Sequence, residues 1–313
     1  MLLVSGFSAP CIAADAYPAR PVRLIVPFGA GASTDIVARV FAAKFSEVLG
    51  QTVVVDNRPG AAGIIGTESA AKAAPDGYTL FVYGVNQAIT PALHKKLPYD
   101  SARDFALISL YSKLPNILVV HPSVPAKSVK EFIALAKASP GGMRYVSSGI
   151  GASPHLTMEL FKSRTGTDLV HVPYKTAAQG ITDLVGGHLQ AMFANLPAQI
   201  PNIKAARVRP LAVTSAKRAE QVPDVPTVME SGVPDFEVTV WQGVAVPAAT
   251  AGTIITRLHG VMMKTLAAPD LRQRLAEQGV TASPSTREEF AAFVKSETTR
   301  WAKVVKDSGA TLE

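Results

Sequence analysis

The stretch Leu24-Ile25-Val26-Pro27-Phe28-Gly29-Ala30-Gly31-Ala32-Ser33-Thr34-Asp35 decides the fold of this chain. It starts as an apolar strand, continues as a Gly/Ser loop and leads into an amphipathic helix. A turn of this kind presents unpaired backbone N–H groups and the positive end of a helix dipole to whatever lies in front of it. The stretch therefore predicts a βα unit with an anion site at the start of the helix.

The same plan returns at Arg144-Tyr145-Val146-Ser147-Ser148-Gly149-Ile150-Gly151-Ala152-Ser153, which a helical stretch from Pro154 to Thr165 follows. Two such loops, far apart in the sequence, predict two lobes that close on one small anion. Ser33 and Ser153 are the expected N-caps of the two helices. Capping and ligand contact can coexist in one loop, so both roles stay open for these serines.

Short apolar, β-branched runs alternate with amphipathic stretches along the whole chain, which is typical of βαβ units and parallel sheets. Gly50 ends the first helix and Gly166 the second, and a strand follows each of them. Further strands are predicted at 79–83, 117–120, 189–193, 211–213 and 243–246.

A length of 313 residues suits two domains. Proline-rich extended segments at 121–125 and 238–247 are the candidate hinges. We therefore predict a first lobe from residues 17–122 plus 246–313 and a second lobe from residues 123–245. The C-terminal helical region is expected to pack back on the first lobe, which leaves a cleft whose width a hinge sets.

The net charge of +7 comes from lysines and arginines that are scattered singly along the chain. No basic stripe and no interleaved aromatic residues are present, so nucleic acid is not an expected partner. The charge instead favours solubility and attracts anionic solutes.

Residues 1–16 are typical of the end of an export signal, because an apolar run leads to the small residues Ala13, Ala14 and Ala16. We therefore expect a periplasmic protein. Cys11 is the only cysteine, and a lipid anchor there is disfavoured because Pro10 stands where a small residue is needed. Cleavage near Ala14 would leave a mature chain without disulfides or thiol chemistry.

Ordered motifs run through the whole mature chain. They are 27–39 (PFGAGASTDIVAR), 56–63 (DNRPGAAG), 74–80 (APDGYTL), 97–100 (LPYD), 171–175 (HVPYK), 195–197 (NLP), 223–227 (PDVPT) and 300–305 (RWAKVV). In these motifs the chain resembles the Bug/TctC family, the periplasmic substrate-binding proteins of tripartite tricarboxylate transport systems.

This resemblance implies a fold of the α/β class, the type II periplasmic-binding-protein fold, in which crossover strands join two Rossmann-like lobes around a ligand cleft. It also implies that backbone amides and bridging waters hold a ligand carboxylate. The implied ligand-binding residues are Phe28, Gly29, Ala30, Gly31, Ala32, Ser33, Thr34, Asn86, Ser147, Gly149, Gly151, Ala152, Ser153, Lys175, Thr176, Ala177 and Asn195.

The chain departs from the family pattern at two positions. Thr176 stands where the family has Gly after the Tyr-Lys pair, and Ala194 replaces an acidic residue before Asn-Leu-Pro. If that acidic residue pairs with an ammonium group in amino-acid binders, Ala194 removes the partner. The expected ligand is therefore a small carboxylate without an amino group, either a di- or tricarboxylate or an aromatic carboxylate.

Two other functions stay open at this point. The same binding fold could serve a sensor that presents its closed form to a membrane receptor, whereas the resemblance implies delivery to a membrane permease. A nucleotide-dependent enzyme would use Gly29-x-Gly31 with Asp56 as the ribose partner, but Thr34 occupies the place of the third glycine.

Catalytic and metal-binding patterns are weak in this sequence. His155 follows Ser153, yet no Gly-x-Ser-x-Gly elbow surrounds the serine, so His155 is assigned a structural hydrogen bond. The other histidines lack the spacing of metal ligands. We expect no cofactor, no metal and no catalysis, and a protein that acts as a monomer.

Overall fold

The computed structural model describes residues 17–308 of the chain. The strands are β1 (Val22–Val26), β2 (Val53–Asn57), β3 (Thr79–Gly84), β4 (Phe105–Val120), β5 (Arg144–Ser147), β6 (Val170–Pro173), β7 (Ala191–Asn195), β8 (Arg209–Val213), β9 (Thr239–Pro247) and β10 (Thr281–Ala282). The helices are α1 (Ser33–Leu49), α2 (Ile64–Ala71), α3 (Asn86–Leu93), α4 (Val129–Ala138), α5 (Ser153–Thr165), α6 (Ala177–Val185), α7 (Leu196–Lys204), α8 (Gly252–Ala267), α9 (Pro269–Glu277) and α10 (Arg287–Ser308).

The predicted export signal at 1–16, including Cys11, lies outside the described residues. Within residues 17–308, none of the helices combines the length and the apolar character that crossing a membrane would take.

The first sheet is built around β1, which lies parallel to both β2 and β3. Leu24, Ile25 and Val26 are fully buried there, as expected for a central strand of a parallel sheet covered on both faces. The strand ends at Val26, because Pro27 has no N–H to donate to the ladder.

The second sheet repeats this plan around β5, which lies parallel to both β6 and β7. Tyr145 and Val146 of β5 are buried. The strands predicted at 189–193 and 211–213 are confirmed, with small shifts, as β7 and β8. Both lobes therefore place a Gly/Ser loop at the carboxyl end of a central parallel strand.

Two antiparallel strands, β4 and β9, join the sheets. β4 pairs with β9 from Phe105 to Pro115 and with β7 and β8 from Asn116 to Val120. Pro115 stands where β4 changes partners, and proline is tolerated there because it lacks the N–H that a continuous ladder would need. We propose that the lobes divide between Pro115 and Asn116, before the predicted hinge at 121–125, and again at the start of β9, at Thr239.

The C-terminal helix α10 contacts both lobes. It packs on α3 and β4, and also on α5. Phe290, Trp301 and Val305 are buried along its inner face. The helix therefore lies across the junction of the lobes, which helical periodicity alone does not reveal.

Candidate functional site

A cavity of about 400 Å³ lies between the lobes, at the carboxyl ends of both sets of parallel strands. This is the usual position of ligand sites in open α/β sheets. The predicted binding residues that line it are Phe28, Gly29, Ala30, Gly31, Ala32, Ser33, Thr34, Asn86, Ala152, Ser153, Lys175, Thr176, Ala177 and Asn195. Fold geometry thus brings together most of the residues that the sequence singled out.

Three predicted residues, Ser147, Gly149 and Gly151, do not line the cavity. Ser147 is fully buried behind the second loop, where its hydroxyl lies 2.6 Å from His171 Nε2 and donates to the carbonyl of Gly149. Ser148, which the sequence analysis passed over, lines the cavity instead. In a strand, neighbouring side chains point to opposite faces, so a shift by one residue exchanges an inward residue for an outward one.

The first loop is held in shape by Asp35, which is almost fully buried. Its carboxylate accepts hydrogen bonds from the Gly31 N–H at 2.9 Å, from the Asn57 side chain at 2.9 Å and from Arg39 Nε. Burial acts to raise the pKa of Asp35, but the bonds from Arg39, Gly31 and Asn57 outweigh it and lower the pKa. The ionised carboxylate therefore fixes the loop while the N–H groups of Ser33 and Thr34, in the first helical turn, are left for the cavity.

The second loop has nearly the same backbone as the first. Ala32 has φ −67° and ψ 154°, and Ala152 has φ −67° and ψ 153°. Gly31 and Gly151 have φ of 79° and 80°, in the left-handed region that favours glycine. The second loop thus repeats the first at the two residues before the helix, whereas Gly149, with φ of 120°, differs from Gly29, which has no positive φ.

The sequence predicted Ser33 and Ser153 as N-caps, and this was wrong. They are the first residues of α1 and α5. The caps are Ala32 and Ala152, whose side chains cannot accept a hydrogen bond. Instead, the side chain four positions after each glycine holds the loop that precedes the helix, since the Gly151 N–H donates to His155 Nδ1 at 3.1 Å as the Gly31 N–H does to Asp35. His155 therefore has the structural hydrogen bond that its sequence context indicated.

His155 accepts that bond as a neutral imidazole. Burial first, and the nearby Lys162 charge second, lower its pKa to about 4. Its ring stacks on His171 at a centroid distance of 4.1 Å, and His171 stacks in turn on Tyr145 at 4.8 Å. Burial and the neighbouring His155 lower the pKa of His171 to about 3.

The third loop precedes α6. Thr176, one of the two departures from the family pattern, is the N-cap of this helix and accepts a hydrogen bond from the Gln179 N–H at 3.3 Å. Lys175 is exposed at the rim of the cavity. Ala194, the other departure, forms part of the cavity wall, so no carboxylate faces the cavity at that position.

Asn86 lies in the cavity wall, and one N–H of its side-chain amide is already used. It donates to the carbonyl of Ala62 at 3.1 Å. Ala61 and Ala62 have φ of 46° and 53°, a conformation that costs an alanine free energy and is found where surroundings impose it. The sequence missed this turn at 60–63, which also lines the cavity; its signal was the Pro-Gly-Ala-Ala-Gly run.

Several helices point their N-termini at the cavity. The first residue of α1, α3, α5 and α6 and the N-cap of α7 line it: Ser33, Asn86, Ser153, Ala177 and Asn195. Each N-terminus carries roughly half a positive elementary charge and unpaired N–H groups. Among the described residues that line the cavity, Lys175 alone has a charged side chain. The site is thus positive without a buried cation.

The cavity also contains residues that the sequence analysis missed on β9. Trp241 and Gln242 line it, and the predicted strand at 243–246 began just after them. The available signal was a glutamine within an otherwise apolar strand. Two side-chain atoms of the wall are buried without a hydrogen-bond partner among the described residues, Asn195 Oδ1 and Gln242 Nε2.

One of the residues needed for the enzyme alternative lies elsewhere, although Gly29 and Gly31 line the cavity. Asp56 is not part of the cavity wall, and its carboxylate pairs with Arg58 at 3.0 Å. Across residues 17–308, no group of three or more His, Cys, Asp or Glu side chains could hold a metal ion.

Comparison with known proteins gives consistent matches over the chain. The family described as "Tripartite tricarboxylate transporter family receptor" matches residues 37–310. Protein BugT of Bordetella pertussis is 38% identical over 314 residues, covering 100% of this chain and 96% of BugT.

Two solved structures share the fold. A structure titled "R. palustris Rpa4515 with adipate" has a TM-score of 0.90 and 37% identity, covering 94% of this chain and 98% of that one. MatC from Rhodopseudomonas palustris with bound malate has a TM-score of 0.86 and 29% identity, covering 92% and 100%. The predicted α/β fold of the periplasmic-binding-protein type is confirmed by these neighbours.

Proposed function

Since this chain belongs to the tripartite tricarboxylate transporter receptor family, we propose that it is an extracytoplasmic solute-binding protein that captures a small carboxylate between its two lobes. The resemblance read from the sequence motifs is thereby confirmed at the level of the family. The family is one of binding receptors, which supports a protein without catalysis.

The observation that carries this proposal is the convergence of helix N-termini on a cavity that no acidic side chain of residues 17–308 lines. A carboxylate there meets backbone N–H donors and aligned dipoles, and its desolvation is offset by charge-assisted hydrogen bonds of about 1.5–3 kcal/mol each. Ser33, Thr34 and Ser153 line the cavity and are suited to donate hydrogen bonds to a carboxylate. A cation would be repelled by the same dipoles.

The ligand is proposed to lack an amino group. An ammonium needs a carboxylate or several carbonyl groups, and Ala194 contributes neither charge nor a side-chain acceptor to the wall. The neighbours named for adipate and malate carry dicarboxylates without amino groups, which supports the same class here. Binding of aspartate or glutamate more tightly than every non-amino carboxylate would contradict this part of the proposal.

A binding experiment tests the central claim. The protein is unfolded and refolded to remove carried-over ligand, and its melting temperature is measured with aliphatic di- and tricarboxylates, aromatic carboxylates and amino acids. A ligand at 100 times its Kd stabilises the folded state by about 2.7 kcal/mol, which gives a clear rise in Tm. Absence of any rise in refolded protein would overturn the proposal.

Two tryptophan variants locate the binding. Ala177→Trp fills the cavity at the first turn of α6 and is expected to abolish the rise in Tm. Ala291→Trp adds the same side chain at an exposed position of α10 and is expected to keep it. Equal responses of both variants would place the ligand outside this cavity.

We further propose periplasmic residence, action as a monomer and delivery of the ligand to a membrane permease. A strain without this protein is expected to lose uptake of the labelled carboxylate while transcription of neighbouring genes still responds to it. Loss of the transcriptional response with unchanged uptake would identify a sensor instead.

A further inference from the structure

Gln242 lies on the crossover strand β9, in the wall of the cavity, with half of its amide group unpaired. Its backbone is in register with Gly84 of β3 and Ser112 of β4, so it lies in the middle of the first sheet. The residue is 1% exposed. Its Oε1 accepts a hydrogen bond from the Tyr111 hydroxyl at 2.5 Å, whereas Nε2 has no partner among the described residues.

Tyr111 determines which amide atom remains free. Its ring is fully buried and stacks on Phe41 at 4.6 Å. Burial raises the pKa of the phenol, so the hydroxyl keeps its proton and acts as a donor. With the amide turned over, the phenolic O–H would face an N–H group and lose its acceptor, so the arrangement with Nε2 unpaired is the stable one.

A buried N–H donor without a partner is costly, and such a donor on a residue that lines a ligand cavity calls for an acceptor on the ligand. The other unpaired atom of the wall, Asn195 Oδ1, is itself an acceptor and cannot hydrogen-bond to a carboxylate. Gln242 is therefore the side chain suited to a second anionic group.

Part of the cavity wall is apolar. Val82, Met192, Val240 and Trp241 line the same cavity, which fits a hydrocarbon spacer between two polar ends of a ligand. The surrounding helix N-termini supply the positive potential for more than one negative charge.

We propose that Gln242 is a specificity-determining residue that donates a hydrogen bond to the second carboxylate of a dicarboxylate ligand. Tyr111 is a positioning residue that orients the amide. This inference rests on the proposed function, because the first carboxylate is assigned to the backbone N–H groups of the loops. Gln242 then sets the preference of the cleft for diacids over monoacids of the same length.

The test compares length-matched ligands by calorimetry: adipate with hexanoate, and succinate with butyrate. In the pair whose diacid binds more tightly, wild-type protein is expected to bind the diacid at least about tenfold more tightly than the monoacid. Gln242→Met is expected to weaken diacid binding about 10- to 100-fold and to change monoacid binding less than about twofold. Tyr111→Phe is expected to weaken only diacid binding, by a smaller factor.

Gln199→Met is the matched control. Gln199 is also a fully buried glutamine with an unpaired Nε2, but it does not line the cavity. This variant is expected to keep the wild-type ratio of diacid to monoacid affinity. Gln242→Glu, which keeps the shape of the side chain but replaces the donor by an acceptor, is expected to lose diacid binding and serves if Gln242→Met does not fold.

Three results would overturn the role of Gln242 while leaving carboxylate capture intact. They are an equal loss of diacid and monoacid affinity in Gln242→Met, an unchanged ratio of these affinities in that variant, and equal diacid and monoacid affinities in the wild type. The proposed function itself would be overturned if neither the wild type nor Gln199→Met bound any of these carboxylates or any carboxylate of the wider panel.

Discussion

Asp35 and His155 occupy equivalent positions in the first turns of α1 and α5, and each accepts a hydrogen bond from the glycine N–H four residues earlier. Asp35 does so as an ionised carboxylate that Arg39 and Asn57 also hold. His155 does so as a neutral imidazole, stacked on His171 in a buried site. At the scale of single residues, the two loops therefore share a geometry but respond differently to acid.

Acid is expected to destabilise the protein through His155 and His171. Their pKa values in the folded protein, about 4 and about 3, lie below the ordinary value of 6.5. Below pH 6.5 the unfolded chain binds protons that the folded protein does not. The folded protein therefore has its full stability, as far as these two histidines are concerned, above that pH. This stability is lost as the pH falls towards 4, by on the order of 3 kcal/mol for His155.

Chemical unfolding at a series of pH values measures this effect. His155→Asn is expected to be less stable than wild type at pH 7 and to lose less stability between pH 6.5 and 4. His188→Gln changes an exposed histidine and should follow the wild-type pH profile. The same pH dependence in His155→Asn and in wild type would contradict the assignment.

At the scale of elements, each loop depends on a glycine with positive φ. Gly31 in the first loop has φ 79°, and Gly50 at the end of α1 has φ 75°. A Cβ at either position would meet no atom within 4 Å, so only the backbone conformation opposes a side chain. The two glycines form a matched pair that differs in position relative to the cavity.

Gly31→Ala and Gly50→Ala are each expected to lower the free energy of unfolding by about 1–2 kcal/mol, because alanine is strained in the left-handed region. Only Gly31→Ala should also weaken carboxylate binding, since Gly31 lines the cavity and Gly50 does not. Urea unfolding and calorimetry measure the two effects. Unchanged affinity in Gly31→Ala would remove the first loop from the site.

At the scale of the whole molecule, Glu297 links α10 to the crossover strand β9 through a hydrogen bond. This carboxylate is buried and accepts hydrogen bonds from the indole N–H groups of Trp241 at 2.8 Å and Trp301 at 3.1 Å. Arg300, next along the helix, pairs with Glu297 and donates to the carbonyl of Glu237, just before β9. The helix thereby supports the strand that joins the lobes.

Glu297→Leu is expected to destabilise the protein by about 3 kcal/mol, because two buried indole N–H groups lose their acceptor. Ligand affinity should fall as well, since Trp241 lines the cavity. Glu288→Leu, at an exposed position in the first turn of the same helix, should change stability by less than about 0.5 kcal/mol. Urea unfolding of both variants measures the difference, and equal stabilities would show that Glu297 does not secure the junction.

Local patterns made much of the fold and part of the site predictable. The Gly/Ser loops are encoded within a few residues, because a strand end, a positive-φ glycine and the first turn of a helix follow directly in the chain. The placement of Ser147 and Ser148 was not predictable to that detail, since the inward residue depends on how the strand is set in its sheet. The caps were also misassigned, because Ala32 and Ala152, whose side chains accept no hydrogen bond, occupy the N-cap positions.

The sequence by itself determined two α/β lobes, each with a Gly/Ser loop that leads into a helix N-terminus, because strand alternation, helix periodicity and glycine conformation act over short stretches of chain. Only the tertiary structure decided that β4 changes sheets at Pro115, that α10 spans both lobes and that Gln242 faces the cavity. Those features depend on strand and helix pairs formed between residues far apart in the chain. No local pattern specifies such pairs, because their energy comes from burial and hydrogen bonding that exist only once the lobes have assembled.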